Sequence, residues 1–136
     1  MIDLTIRQIS EVKLRSRLYS TNDFKARQVL VTSRQDNGLF PGVRYPYAEN
    51  CMKISQTQPY IHNCVVTVHE GTHVYKFMVF FKNHQHLPRN NCLSTLSKFS
   101  NLRGDVLVMR IGVKFSYVNM REWDTVLADW FMKRYG

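Results

Sequence analysis

Apolar and polar residues alternate at every second position along much of this 136-residue chain, and this alternation limits its fold more than any other feature. The pattern is clear where Val12, Leu14 and Leu18 are interleaved with basic residues. A period of two places successive side chains on opposite faces of an extended strand, whereas a helical face requires a period of about 3.6. The sequence therefore predicts mostly β-strand, in runs at residues 2–18, 27–34, 61–69, 73–82, 105–111 and 114–120.

Two pairs of these runs are joined by short glycine-containing turns, and each pair predicts a β-hairpin. The turn Glu70-Gly71-Thr72 has a glycine where a positive φ is needed. Gly112 leads the second turn, where it would suit a two-residue type II′ turn. The run 73–82 is apolar on both sides, as expected of a central strand that is covered on both faces.

The clearest helical pattern lies in the last segment of the chain. Asn119 and Glu122 have the spacing of a capping box, which predicts that a helix begins near Arg121. We expect its apolar stripe to pack on the sheet and Asp129 to face water. The alternative is that the stripe is an exposed surface for a dimer or another partner. The stripe consists of Trp123, Val126, Leu127, Trp130 and Phe131.

Strands followed by one terminal helix indicate an α+β fold, a mostly antiparallel sheet with a C-terminal α-helix packed on it. The length fits a single globular domain over residues 1–136. Glycine and proline interrupt the pattern from Asn37-Gly38 to Pro59, which predicts a long loop at about residues 35–60. A loop of this length is either a binding loop or a simple excursion of the chain.

Charge is the strongest compositional deviation, since 19 basic and 10 acidic residues give a formal net charge of +9. A charge of this sign attracts nucleic acid, anionic membrane surfaces and acidic protein faces alike. Three bases at residues 13, 15 and 17 would share one strand face at a spacing of about 6.5 to 7 Å, close to that of nucleic-acid phosphates. The alternative is an ordinary solvated face. With a segment that mixes bases and aromatic rings, the candidate nucleic-acid or polyanion-binding residues are Lys13, Arg15, Arg17, Arg44, Tyr45 and Tyr47.

Neither the cysteines nor the histidines predict a cofactor. The three cysteines form no CxxC pair, and their odd number argues against a disulfide framework. Five histidines lie between residues 62 and 86, but His62 and His69 point to opposite faces of a regular strand, so we expect no metal. Cys64 or Cys92 with a histidine would be the nucleophile pair of an acyl-transfer enzyme, yet no motif marks either one. The sequence predicts no catalytic residue.

The location is predicted from what the N-terminus and the apolar runs lack. Asp3 and Arg7 interrupt the first residues, so a secretory signal peptide is not expected. The longest nearly apolar run, 77–81, is far shorter than the roughly 20 residues of a membrane span. With reduced cysteines, these features predict a cytoplasmic or nuclear protein.

Part of the C-terminal region resembles a group of fungal proteins. The residues that carry the resemblance are Leu87-Pro88-Arg89-Asn90-Asn91, Arg103-Gly104-Asp105-Val106-Leu107-Val108-Met109-Arg110, Val118-Asn119-Met120-Arg121 and Leu127-Ala128-Asp129. This stretch, about the last 50 residues, resembles short uncharacterised proteins predicted from mushroom-forming fungi. The resemblance implies a eukaryotic, intracellular origin and assigns no role to any residue.

These features together predict a basic intracellular binding module, in the first place a protein-interaction or scaffold domain. The alternative is a nucleic-acid-binding domain that uses a basic sheet face interleaved with aromatic rings. A small enzyme of unknown type and a protein that associates with a membrane surface are further alternatives. The sequence leaves the partner and the oligomeric state open.

Overall fold

The computed structural model describes residues 9–36, 43–47, 61–82, 86–96, 102–113 and 116–135. In chain order the elements are β1 (Ile9–Tyr19), β2 (Arg27–Asp36), β3 (Val43–Pro46), β4 (His62–Glu70), β5 (His73–Phe81), α1 (Asn91–Leu96), β6 (Val106–Ile111), β7 (Tyr117–Val118) and α2 (Glu122–Tyr135). Strands predominate and a helix ends the described chain. The predicted α+β fold is confirmed.

The described strands form one antiparallel sheet in the order β3-β2-β1-β6-β5-β4, with β7 also paired to β6. β1 pairs with β2 from Ile9 to Leu18, but only its last three residues pair with β6. The rest of β1 diverges from β6, and β7 with the two residues after it lies between them. There the Met120 N–H donates to the Arg15 carbonyl at 2.9 Å, and the Arg15 N–H donates to Asn119 Oδ1 at 2.7 Å. This divergence positions the candidate functional site.

The two predicted hairpins differ in outcome. The β4–β5 hairpin is confirmed, with Glu70 opposite His73 and Gly71 at a φ of 59°. The β6–β7 connection is longer than the predicted two-residue turn, because the Gly112 N–H donates to the Ser116 carbonyl at 2.7 Å. Gly112 does not have the positive φ of a type II′ turn; instead, a Cβ at this position would lie 2.9 Å from Val118 Cγ1.

Alternation along β5 and β6 builds a core on each face of the sheet. On the face that α2 covers, Phe77 packs against Phe131 with ring centroids 5.2 Å apart. On the opposite face, Phe80 joins Leu107 in a second cluster. β5 thus contributes aromatic side chains to both cores, as expected of a strand that lies between two others.

The apolar stripe predicted for α2 is only partly buried. Leu127 and Phe131 pack in the core, but Trp123, Val126 and Trp130 are 47%, 49% and 46% exposed. The buried face is instead completed by Ala128 and Met132. The helix therefore docks through positions 127, 128, 131 and 132, and the tryptophans lie to one side of this face. We call Trp123, Val126 and Trp130 the α2 stripe.

The predicted capping box is also wrong. The Asn119 side chain binds β1, and the start of the helix is capped by Asp124, whose Oδ2 accepts the Arg121 N–H at 2.8 Å. A carboxylate in the first turn both satisfies a free N–H group and complements the helix dipole.

Asp129 is paired, and only 33% of its side chain is exposed, whereas the sequence predicted that it faces water. Its carboxylate accepts two hydrogen bonds from the Arg17 guanidinium, each 2.8 Å long, and one of 2.6 Å from the Tyr19 hydroxyl. Burial lowers the pKa of Arg17, but the hydrogen bond and charge of Asp129 outweigh this and the pKa is raised. Burial also raises the pKa of Tyr19, and Asp129 adds to this effect. This cluster, the Asp129 clamp, fixes α2 to β1.

Asn90 lies in a segment that the sequence predicts to be a loop, and its side chain joins the end of β1 to the segments before α1 and β6. Its side chain is fully buried, and Nδ2 donates to the carbonyls of Tyr19 and Gly104 at 2.8 Å each. Its Oδ1 accepts the Leu93 N–H at 3.0 Å and so caps α1. Gly104 has a φ of 79°, and a Cβ on it would lie 2.8 Å from Leu87 Cδ1.

The segment predicted as a long loop, residues 35–60, is described only in part. It includes the end of β2 and the strand β3, which pairs with β2 through Arg34 opposite Tyr45. Residues 37–42 and 48–60 lie outside the described residues.

The helix packing predicts unequal effects for two neighbouring aromatic residues. Phe131→Ala should lower the free energy of unfolding by about 3 to 5 kcal/mol, because it leaves a cavity in the core. Trp130→Ala should cost much less, since nearly half of that side chain is already in water. Urea denaturation of both variants checks this. A larger loss for Trp130→Ala would contradict the described packing of α2.

The Asp129 clamp makes a second prediction. Asp129→Ala should destabilise the protein by about 2 kcal/mol, because it leaves the Arg17 guanidinium and the Tyr19 hydroxyl without their acceptor. Glu122→Ala is the matched control, since it removes an exposed carboxylate from the same helix. Thermal melting of the two variants should show a clear difference. Similar melting temperatures would mean that the clamp contributes no stability.

Candidate functional site

A cleft of about 610 Å³ opens where β1 diverges from β6. Its walls come from β1, β3, β5, β6 and the segment that leads from β7 into α2. Four of its lining residues are arginines, and Tyr75 and Trp123 provide aromatic surface. Asp124 is the one carboxylate among the lining residues that the structure describes. The arginines of this arginine cleft are Arg15, Arg44, Arg110 and Arg121.

Arg110 is fixed in place by neighbouring groups. It occupies the α2-facing side of β6, two residues after Val108 in the strand alternation. Its Nε donates to Asp124 Oδ1 at 3.1 Å, and Nη1 donates to the carbonyls of Lys76 and Ile111. The guanidinium carbon lies 5.3 Å from the centroid of the Tyr75 ring, in cation–π range. Because Asp124 compensates the charge of Arg110, this residue contributes more to the shape of the cleft than to its positive charge.

Arg44 has hydrogen-bond partners but no compensating charge within the part of the chain that the structure describes. Its Nε donates to Gln35 Oε1 and its Nη1 to the Tyr117 carbonyl, both at 2.9 Å. Both acceptors are neutral. These two bonds hold the β3 arginine at the mouth of the cleft while its positive charge remains available to an anion.

Arg15 and Arg121 have no side-chain partner among the residues that the structure describes. Both side chains are exposed, and both residues are held through their backbone N–H groups, by Asn119 and Asp124 respectively. Three uncompensated guanidinium groups, those of Arg15, Arg44 and Arg121, therefore surround one cleft.

The sequence-predicted site residues fall into different places. Lys13, Arg15 and Arg17 share one face of β1, but Arg17 belongs to the Asp129 clamp and is therefore not available to a ligand. Lys13 is exposed and lies two residues from the cleft on the same strand. Tyr47, at the end of β3, donates its N–H to the Thr32 carbonyl and does not line the cleft. The side chain of Tyr45 lies outside the described residues.

Arg110, Arg121 and Trp123 are site residues that the sequence did not predict. Trp123 belonged to the helical stripe that was expected in the core. Arg110 did carry a signal, because it is the one charged residue in the otherwise apolar strand Val106–Ile111. A charged residue is rarely buried in a central strand unless a partner neutralises it.

The candidate groups for enzyme chemistry are not brought together. Cys64 is exposed, whereas burial raises the pKa of the Cys92 thiol to about 11, so this thiol is protonated at neutral pH. Burial lowers the pKa of Lys82, and the charge of Asp105 limits this effect. Among the described residues, no three His, Cys, Asp or Glu side chains are grouped so that they could hold a metal ion.

Comparison with known proteins adds no relative: no protein-family model, curated protein or solved structure matches this chain. Within the described residues, no helix is both long enough and apolar enough to cross a membrane. Function must therefore be inferred from the geometry of the arginine cleft.

The raised pKa of Cys92 makes stability depend on pH in the alkaline range. Its folded pKa of about 11 lies above the ordinary value of 9.0, so the stability it confers is present below pH 9 and is lost as the pH rises toward 11. The free energy of unfolding of the wild type should therefore fall between about pH 8 and about pH 10 by about 1 kcal/mol more than that of Cys92→Ala. Urea denaturation at both pH values measures this. Cys64→Ala, which removes an exposed thiol, should behave like the wild type, and identical losses in all three proteins would mean that Cys92 does not cause the pH dependence.

Proposed function

We propose that this protein is a binding module for single-stranded nucleic acid, which binds in the arginine cleft. One observation carries the proposal: three arginines that have no carboxylate partner among the described residues surround a cleft whose wall includes a half-exposed tryptophan. The arginines are Arg15, Arg44 and Arg121, and the tryptophan is Trp123.

The arginines favour a ligand that carries phosphate groups. Like charges around one cleft repel one another, and an anion that enters between them relieves this repulsion. A guanidinium group is planar and presents paired N–H donors, which match two oxygens of one phosphate group. The formal net charge of +9 adds a long-range attraction that speeds the encounter with any polyanion. Lys13 extends the basic surface along β1 beyond the cleft.

Trp123 favours nucleic acid over other polyanions. Bases stack on aromatic side chains, and each such contact contributes about 1 to 3 kcal/mol. A sulfated polysaccharide has no flat base and would use the arginines alone. In a duplex the bases are already stacked and paired, so only a single strand can present one to Trp123. A protein-interaction role, the second candidate, is supported by the surface that α2 and β4 form, which shares Trp123 with the cleft.

The proposal predicts how the affinity depends on salt. Arg15→Gln/Arg121→Gln should weaken binding to a labelled single-stranded oligonucleotide, because two arginines no longer bind phosphate groups. The slope of log K against log salt concentration should fall by about 1.4, or about 0.7 for each of the two phosphate groups. Both arginine side chains are exposed and unpaired within the described residues, so the variant should fold normally. Fluorescence anisotropy across a salt series measures the effect.

The matched control is Lys25→Gln/Lys133→Gln, which removes the same charge from exposed positions that do not line the cleft. This control should keep most of the wild-type slope. If the two double variants weaken binding equally, the oligonucleotide is attracted by the net charge of the protein and the cleft is not the binding site.

Trp123 separates nucleic acid from other polyanions. Trp123→Leu should weaken binding to the single strand by about 5- to 100-fold, and should leave binding to heparin nearly unchanged. A melting curve of this variant verifies that it is folded. An equal effect on heparin and on the oligonucleotide, or tighter binding to duplex than to single strand, would contradict the proposal.

A further inference from the structure

We propose that two copies of this chain pair through β4, so that the sheet of one copy continues into the sheet of the other. The inference does not depend on the arginines of the cleft, although the two surfaces share Trp123. It rests on three observations: an edge strand with a free side among the described residues, a half-exposed apolar helix face beside it, and a residue pattern along β4 that is complementary to itself.

The first observation is the edge itself. β4 lies at the end of the sheet and pairs, within the described residues, with β5 alone. Its nine residues pair with β5 without a bulge, and seven of them are exposed. Edge strands are usually protected by lysine, proline or a bulge, and His62–Glu70 contains none of these. A straight edge of this kind is a template for another strand.

The second observation is the α2 stripe. A groove of about 260 Å³ separates it from the end of β4, near Val68 and Glu70. Trp123, Val126 and Trp130 are each about half exposed along this groove. Exposed apolar residues that adjoin one another in this way are typical of an interaction surface. A strand added to the edge of β4 would lie beside the groove and cover part of the stripe.

The third observation identifies the occupant as a second copy. Antiparallel pairing centred on Val66 places His62 opposite the partner's Glu70 and Cys64 opposite the partner's Val68. The twofold axis repeats both pairs, so each glutamate of the interface lies opposite a histidine. An imidazole can donate a hydrogen bond to a glutamate opposite it, and the small apolar Cys64 can pack against Val68, so both are favourable cross-strand pairs. A shift of the register by two residues would lose the histidine–glutamate pairs and shorten the ladder.

Charge distribution also fits a second copy better than a polyanion. Glu70 is the one formally charged residue in β4, so the high net positive charge of the chain is not concentrated at this edge. The basic residue next to the stripe, Arg134, lies over the Trp130 ring at 5.0 Å from its centroid. Two basic chains can therefore meet here with little local repulsion.

Sedimentation equilibrium of the full chain tests the proposal. The wild type should associate from 16.1 kDa to twice this mass as the concentration rises. Val65→Lys/Thr67→Lys should raise the dimer dissociation constant by about tenfold or more, because each new lysine lies opposite a lysine of the partner. Val74→Lys/Thr72→Lys makes the same replacements at exposed positions on β5 and its turn, and should leave association unchanged.

A charge exchange tests the register. His62→Glu places glutamate opposite the partner's Glu70 and should weaken association by about tenfold, and adding Glu70→Lys to the same chain should restore it. A wild type that stays monomeric at all concentrations would overturn the proposal, as would a dimer that the β4 variants do not weaken or that the exchange does not rescue. The substituted residues of β4 do not line the arginine cleft, so a failure of the dimer proposal leaves the nucleic-acid proposal to its own test.

Discussion

Tyr19 is the residue on which the rest of the fold depends, because it joins four elements at one point. Its backbone pairs β1 with Val106 of β6, its carbonyl accepts a hydrogen bond from Asn90, and its hydroxyl donates to Asp129. β1, β6, α1 and α2 are thus held together at one end of the sheet. A buried tyrosine needs a partner for its hydroxyl, and the carboxylate that provides it also neutralises Arg17.

The same junction explains why a cleft exists beside the middle of β1, next to the residues that pair with β6. β1 is fastened to β6 only through its last three residues, and its remaining length follows β2 away from β6. β7 is too short to fill the gap completely. Strand alternation then places Arg15 on one side of the opening and Arg110 on the other. These arginines lie around one cleft because β1 diverges from β6, so the functional proposal depends on this feature of the sheet.

Local patterns in the sequence predicted local structure well. The alternation along β1 and β5, the glycine turn at Gly71 and the terminal helix could all be read directly, because each depends on residues close in the chain. What could not be read was which side chains meet across more than 100 residues. The alternation of side chains along a strand places Arg15 and Arg17 on the same face of β1. Only the docking of α2 pairs Arg17 with Asp129 and leaves Arg15 in the cleft. The burial of Asn90 depends on long-range docking in the same way.

The separation between Tyr19 and its partners also shapes how the chain can fold during synthesis. Asn90 lies 71 residues later and Asp129 lies 110 residues later. On the ribosome the β1–β2 hairpin can form early, but its apolar residues Leu14, Leu18 and Val31 join the rest of their cluster only after β5 and β6 have been synthesised. Contacts of such high sequence separation slow folding and expose unpaired strand edges to other chains. The last fastening of β1, the hydrogen bond from Tyr19 to Asp129, therefore forms only after α2 has been synthesised.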